Sequence, residues 1–299
     1  MFEFRTAALL SSIFGIICIA IDLFIFILVY RTKPRLHTVN HLLICNTSFG
    51  SMYLSIIYII NYIHAIYIYW DTSDFTCRLR SYFTYVSIGG MMQSYTTQAI
   101  SRFFFSILST KYRWLTTFRT HYIMILIQWL TVLILALPVL IFDTARYYPG
   151  ILCLLINGYE AIDAYFQIIN LLVPFLVVIF IYICIIIRVR QIKRNVRATT
   201  SANLLHNSRN DLKILRNILI FIGMVIVGVS PTAILWFVSS GSLYHISLVC
   251  TMFSVTLTAV FNILLDREIR ETIQNMYRRR TMFITTNQVI NVRERQITN

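Results

Sequence analysis

The sequence predicts an all-α membrane protein, in which seven transmembrane helices form a bundle and a short amphipathic helix follows the seventh. Composition is the first reason, since 58% of the 299 residues are hydrophobic and only 13% are charged. That charged share is about half of what a soluble globular domain carries. A chain with so little polar surface is expected to have lipid as its solvent.

The second reason is the number and length of the apolar runs. An α-helix crosses a hydrocarbon core of about 30 Å in roughly 20 residues, and seven runs are long enough. We number them spans 1 to 7: Thr6–Tyr30, Val39–Tyr62, Cys77–Ile107, His121–Phe142, Ala164–Val189, Leu212–Val238 and Tyr244–Leu265. Span 1 lacks the cleavage pattern of a signal peptide, so we interpret it as the first helix. Span 3 is the least hydrophobic, as expected for a helix surrounded by other helices.

The third reason is the distribution of basic residues. Lys and Arg concentrate after spans 1, 3 and 5 and in the tail, whereas the opposite side has an excess of Asp and Glu. The positive-inside rule then places the N-terminus outside the cell and the C-terminus in the cytosol. We therefore expect a multi-pass protein of the plasma membrane. The net charge of +14 does not indicate nucleic-acid binding, because the basic residues lie in short loops between apolar runs.

The segment after span 7, residues 266–280, has an amphipathic pattern. Ile269, Ile273 and Met276 share one face, with Arg and Glu around them. We interpret it as a helix on the inner membrane surface, and a solvated basic tail is the alternative. Residues 1–280 are expected to form one transmembrane domain, and residues 281–299 a disordered cytoplasmic tail.

Span 3 carries two landmarks. Cys77 stands at its outer end, and the run Ile100-Ser101-Arg102-Phe103 at its inner end. The residues between them cover about 37 Å of helix, so the landmarks lie at opposite faces of one membrane. An arginine at this place could simply extend its charge to the headgroups.

This layout resembles the rhodopsin-like (class A) G-protein-coupled receptors over nearly all of residues 7–280. In that family a cysteine opens helix 3 and an Asp-Arg-Tyr triplet closes it, and Cys77 and Arg102 stand at those places. Further matches are Trp129 and Pro138 in span 4, Pro174 and Tyr182 in span 5, and Pro231 in span 6. Prolines are common in membrane helices, but this joint order and spacing are hard to obtain by chance.

The resemblance implies a G-protein switch at the inner end of the bundle. At rest we expect Arg102 to pair with Asp211, for which a solvated loop acid or helix cap is the alternative. In the active state span 6 moves outward, Arg102 approaches Tyr182, and a cleft opens for a heterotrimeric G protein. Pro231 would bend span 6 so that its inner end can swing.

The resemblance also implies a disulfide bond between Cys77 and Cys153, which lies between spans 4 and 5. Oxidising conditions outside the cell would preserve such a bond, and two free cysteines are the alternative. Pro138 and Pro174 are expected to bend spans 4 and 5, because a proline inside a helix removes one backbone hydrogen bond.

Several family residues are missing, which indicates a divergent, orphan-like member. Ser101 replaces the acid before the arginine, span 7 lacks the Asn-Pro-x-x-Tyr motif, and span 2 has no aspartate near Gly50 or Ser51. Asp22 in the middle of span 1 is costly in hydrocarbon unless it is paired or neutral. Our hypothesis is that Asp22 replaces the missing acid in a polar cluster with span 2 and Asn262. A protonated aspartate with a structural role is the alternative.

The residues that would line a ligand pocket exclude some classes of ligand. Thr84 stands where amine receptors carry aspartate, so an amine ligand is not expected, and span 7 has no lysine for a retinal Schiff base, so no cofactor is expected. The outer face is acidic and rich in aromatic residues such as Trp236. A short basic or amidated peptide would suit it, and an interfacial aromatic belt is the alternative.

Three other classes of membrane protein compete with a receptor. A transporter needs ionisable residues at mid-membrane and repeated, broken helices, but only Asp22 qualifies and no repeat is evident. A channel of the chemoreceptor type would have its N-terminus inside, against the charge bias. An enzyme is not expected, because no HExxH motif occurs and all six histidines lie at span ends or in loops, where no metal site is predicted.

Overall fold

The computed structural model describes residues 2–32, 36, 38–67, 74–108, 112–142, 160–197, 223 and 241–276. Within them, span 1 is α1 (Phe2–Arg31), span 2 is α2 (Val39–Tyr67) and span 3 is α3 (Asp74–Phe103). Span 4 comprises α4 (Phe118–Ala136) and α5 (Pro138–Ile141), and span 5 comprises α6 (Glu160–Gln167) and α7 (Val173–Arg197). Span 7 is α8 (Gly241–Leu265), and α9 covers residues 267–276.

Five helices of the described part are long and apolar enough to cross a membrane. They are Phe4–Arg31, Val39–Tyr67, Phe118–Ile141, Ala164–Arg188 and His245–Leu265. These correspond to spans 1, 2, 4, 5 and 7, so hydropathy located them correctly. Span 6 lies outside the described residues, apart from Gly223.

Helix α3 is not among those five because its composition suits a protein environment rather than lipid. It packs against α2, α4 and α7, and buried residues recur along its whole length from Cys77 to Ser101. By contrast, α4 packs mainly on one side and buries only His121, Gln128, Val132 and Ala136. The polar residues of span 3 therefore face neighbouring helices, as its sequence predicted.

Glycines allow the helices around α3 to approach closely. A Cβ atom at Gly90 would lie 2.7 Å from the Trp129 ring of α4, and one at Gly50 would lie 3.1 Å from the Met91 backbone. Only a residue without a side chain permits such contacts. The close packing of α3 against α2 and α4 thus requires glycine at these two positions.

Two of the bends expected from prolines coincide with interruptions of regular helix. Helix α4 ends at Ala136 and α5 begins at Pro138, since a proline is tolerated in the first turn of a helix. Before α7, residues Ile168–Leu172 form a π-helical turn that ends just ahead of Pro174, as is common where the backbone ladder loses a donor.

Helix α9 turns part of its apolar face towards the bundle. Ile269 is fully buried in a cluster with Ile25, Leu28, Leu36 and Ile44, against which Ile273 also packs. Met276 is exposed. The helix predicted after span 7 is present, but much of the face expected to meet lipid packs against the ends of α1 and α2.

Candidate functional site at the inner end of the bundle

Arg102 lies in the last turn of α3, at the end of the bundle that we call the inner end. Its side chain is half-buried. The guanidinium group interacts electrostatically with Tyr182 of α7, which is also half-buried. The structure therefore places Arg102 and Tyr182 near one another, whereas Asp211 and Pro231 lie outside the described residues.

Ser101, beside Arg102, is joined to α4 by a buried hydrogen bond. Its Oγ lies 2.7 Å from Nε2 of His121, and Nδ1 of the same ring lies 2.8 Å from the Thr117 carbonyl oxygen. Ser101 is 2% exposed and His121 is fully buried. Sequence reasoning assigned no role to His121. The one signal in the sequence is the missing acid at position 101, which leaves this turn to find a partner on another helix.

A polar network lies one level further into the bundle and joins α2, α3 and α4. The Gln128 Oε1 atom accepts hydrogen bonds from Asn46 at 2.9 Å and from Thr97 at 3.0 Å. Trp129 donates its indole N–H to Asn46 Oδ1 at 3.0 Å. Buried polar groups stabilise a unique arrangement when they are satisfied, so this network fixes α3 relative to its two neighbours.

Asp22 lies in the middle of α1 and is completely buried. Its Oδ2 atom accepts hydrogen bonds from Ser51 of α2 at 2.5 Å and from Cys18 at 3.4 Å, while Oδ1 has no hydrogen-bond partner among the described residues. No hydrogen bond joins Asp22 to Asn262, although both residues are described. The structure thus brings Asp22 to span 2, but it leaves Asn262 out of the hydrogen bonds of this cluster.

The outer half of α3 contains the proposed disulfide and ligand residues. Cys77 is buried and disulfide-bonded, but Cys153 lies outside the described residues, so the pairing stays a prediction. The Thr84 hydroxyl donates to the Arg80 carbonyl at 2.8 Å and accepts from Asn61 at 2.8 Å. Thr84 therefore braces α2 against α3 and offers no exposed surface here. Trp236 is also outside the described residues.

A charged cluster joins the start of α2 to the start of α9. Asp266 accepts hydrogen bonds from the Asn40 side chain at 3.1 Å and from the Ile269 backbone at 3.0 Å. Nε2 of the buried His41 lies 3.7 Å from both Asp266 and Glu268. Burial alone would raise the pKa of Asp266, but His41 and the backbone N–H groups outweigh burial and hold that pKa below its usual value. Asp266 thus caps α9 as a carboxylate.

Comparison with known proteins extends these observations. A family model described as 7 transmembrane receptor (rhodopsin family) matches residues 23–266. The crystal structure of squid rhodopsin has the same fold, with a TM-score of 0.74 and 16% identity over 92% of this chain and 85% of that chain. No curated protein matches the sequence.

The family match confirms the resemblance that Cys77, Arg102 and the ordered prolines indicated. At 16% identity the squid protein supports the fold and nothing more. The chain belongs to the rhodopsin family of seven-transmembrane receptors, and it is a multi-pass membrane receptor rather than an enzyme.

Proposed function

We propose that this receptor transmits the binding of an extracellular ligand to a heterotrimeric G protein at the inner end of the bundle. The observation that carries the proposal is the half-buried Arg102 in the last turn of α3, whose charge acts on Tyr182 of α7. A partly exposed cation at this edge can be reached by a protein partner or by a second acid.

Two arrangements of Arg102 would then compete. In the resting receptor it pairs with Asp211 of the segment that leads into span 6. In the active receptor span 6 has moved outward, and Arg102 leaves Asp211 and approaches Tyr182. A partly exposed ion pair is worth only about 1 kcal/mol, so a ligand that binds one form modestly better can shift the balance.

The ligand that we propose is a short basic or amidated peptide. Thr84 supplies no negative charge where an amine receptor has one, and its hydroxyl is used inside the protein. Tyr67, at the outer end of α2, is exposed, and the acidic and aromatic residues of the outer segments would suit a basic partner. We propose that the protein resides in the plasma membrane, where such a peptide would reach it.

Nucleotide exchange on purified G proteins tests the proposed function. The receptor, reconstituted in lipid, is expected to accelerate GTPγS uptake by one of the G-protein classes, either alone or with a hit from a library of basic amidated peptides. Arg102→Ala should lower that rate at least tenfold. Arg119→Ala, which removes an exposed arginine of α4, should leave the rate near the wild-type value.

Two results would contradict this proposal. One is an Arg102→Ala receptor that still drives exchange at the wild-type rate. The other is a folded wild-type receptor that drives no exchange on any G-protein class with any library peptide. Equal amounts of folded receptor, measured by a monodisperse elution profile, are required in each comparison.

A further inference from the structure

We propose that His121 is a positioning residue for Arg102, because its hydrogen bond with Ser101 fixes the last turn of α3. This inference rests on the proposed function of Arg102. Ser101 stands where the family has an acid before the arginine, and its hydroxyl is bonded to α4 instead.

The donor and acceptor pattern of the histidine is fixed by its surroundings. The Thr117 carbonyl oxygen can only accept, so Nδ1 of His121 carries the proton in the bond at 2.8 Å. In the neutral ring Nε2 is then an acceptor. The Ser101 hydroxyl must therefore donate its proton across the 2.7 Å contact. The Ser101 hydroxyl therefore donates to a residue of α4 rather than to a carbonyl of its own helix.

The surroundings of this pair exclude water. Ser101 is 2% exposed and His121 is 0% exposed. The Phe105 ring, one turn beyond Ser101, stacks on the imidazole with ring centroids 5.8 Å apart and an angle of 24° between planes. Breaking a hydrogen bond in such a site costs free energy, because each group would stay buried without a hydrogen-bond partner.

The Ser101–His121 pair and Arg102 lie on different sides of α3. Ser101 reaches α4, while its neighbour Arg102 interacts with Tyr182 of α7. Consecutive residues of a helix point about 100° apart, so both contacts can hold the same turn at once. The bond between Ser101 and His121 therefore sets the rotation of α3 from which Arg102 reaches α7.

Four substitutions separate positioning from simple packing. Ser101→Ala and His121→Asn remove the bond between the helices, although asparagine can still donate to the Thr117 carbonyl. His121→Gln places an amide oxygen where Nε2 was, and Ser101→Thr keeps the hydroxyl. Ser106→Ala removes an exposed hydroxyl from the next turn and is the matched control.

The first measurement is GTPγS uptake per folded receptor at a series of G-protein concentrations. Ser101→Ala and His121→Asn should each raise the half-maximal G-protein concentration about fivefold, as the loss of one net hydrogen bond does to an equilibrium. The double variant should resemble either single variant. His121→Gln and Ser101→Thr should restore most of the wild-type value, and Ser106→Ala should match it.

The second measurement does not depend on a G protein. Amide hydrogen exchange over residues 98–108 should become about fivefold faster in Ser101→Ala and His121→Asn, and it should stay near the wild-type rate in the two rescue variants. Unchanged exchange in Ser101→Ala would overturn the inference. Additive effects in the double variant, or a His121→Gln receptor as impaired as His121→Asn, would also overturn it.

The two proposals fail in different ways. If the wild-type receptor drives no nucleotide exchange while the amide exchange shifts as described, the Ser101–His121 bond does fix the last turn of α3, and the proposed G-protein role is wrong. If nucleotide exchange depends on Arg102 but not on Ser101 or His121, the signalling role stands and the positioning role falls.

Discussion

Asp22 is a carboxylic acid whose described partners are hydroxyl and thiol groups rather than cations. Ser51 and Cys18 both donate to Oδ2, and Oδ1 has no hydrogen-bond partner among the residues that the structure describes. None of the ion pairs in the described part of the chain involves Asp22. A lone carboxylate in the middle of a bilayer is costly, so a side chain that accepts without being charged should stabilise the fold equally well.

Replacing Asp22 tests this reasoning. Asp22→Asn keeps an oxygen that accepts from Ser51, so we expect the free energy of unfolding to change by less than about 1 kcal/mol. Asp22→Leu leaves the Ser48 carbonyl, 3.1 Å away, as the remaining acceptor of the Ser51 hydroxyl and removes the acceptor of Cys18. It should therefore cost about 1.5 kcal/mol, the contribution of a lost net hydrogen bond. Thermal unfolding of the purified receptor, compared at equal detergent concentration, measures both effects.

The same variants decide whether Asp22 belongs to the signalling core. Asp22→Asn is expected to alter nucleotide exchange even though the protein folds, because a carboxyl group can exchange a proton and an amide cannot. If expression and exchange are both unchanged, the cluster has only a structural role.

Gly90 shows how much one missing methyl group matters between helices. A Cβ atom there would approach the Trp129 ring to 2.7 Å, and that ring is held by its hydrogen bond to Asn46. Gly90→Ala should therefore lower the free energy of unfolding by about 1–3 kcal/mol through overpacking. The unfolding temperature of the receptor in detergent measures this effect.

Gly15→Ala is the matched control for this change. Its Cβ atom would approach the terminal methyl groups of Ile59 and Met252 at 3.2 Å, and flexible side-chain ends can move aside. Alanine also favours the helix, so we expect little loss or a slight gain. A larger loss from Gly15→Ala than from Gly90→Ala would contradict the account of packing around α3.

Whole helices were more predictable from the sequence than the contacts between them. Spans 1, 2, 4, 5 and 7 follow from hydropathy alone, because lipid imposes a minimum length of apolar helix. Arg102 and Tyr182 were singled out through the resemblance to the family, because each stands at a fixed distance from a landmark within its own span. His121 was missed because its partner lies on another helix, and the rotation of α4 that brings them together is set by packing that no local pattern encodes.

Helix α9 illustrates the same limit at the level of one element. Its existence follows from the spacing of Ile269, Ile273 and Met276, but that spacing does not say whether lipid or protein covers the apolar face. Ile269 packs against α1 and α2 because Asp266, directly after α8, ties the start of α9 to Asn40 and His41. The tie depends on charge, so it should depend on pH.

Acidification should weaken this cap in a defined direction. The pKa of Asp266 is lower in the folded protein than the ordinary value of 3.8, so the folded state favours the carboxylate. Its stabilising contribution is complete at pH values above 3.8, shrinks as the unfolded chain takes up the proton first, and is lost below the lowered pKa. Unfolding temperatures measured from pH 6 to about pH 3 should therefore fall less steeply for Asp266→Asn than for the wild type.

Glu271→Gln provides the comparison for this titration. It removes a carboxylate that pairs with the exposed Arg267 within α9, and exposed pairs of this kind contribute little. The variant should keep the wild-type dependence on pH. If the unfolding temperatures of the wild type and Asp266→Asn depend on pH with the same slope, acid does not act through this cap.

At the scale of the whole molecule, the two ends of the bundle differ in chemistry. The inner end collects Arg102, the Ser101–His121 pair and the charged cluster around Asp266, and in the sequence the basic loops follow the spans that end there. Cys77, which is disulfide-bonded, lies at the other end of α3. A disulfide persists in an oxidising compartment, and basic loops stay in the cytosol, so both features predict the same orientation.

The orientation is the condition on which the receptor role depends, and epitope tags test it directly. A tag before Phe2 should bind antibody on intact cells, and a tag after Asn299 should bind only after permeabilisation. Arg102 then faces the cytosol, where a G protein can reach it, because Cys77 and Arg102 lie about 37 Å apart along one helix. If the N-terminal tag is reached only in permeabilised cells, Arg102 would face outward, and neither the G-protein switch nor the positioning role of His121 could operate as described.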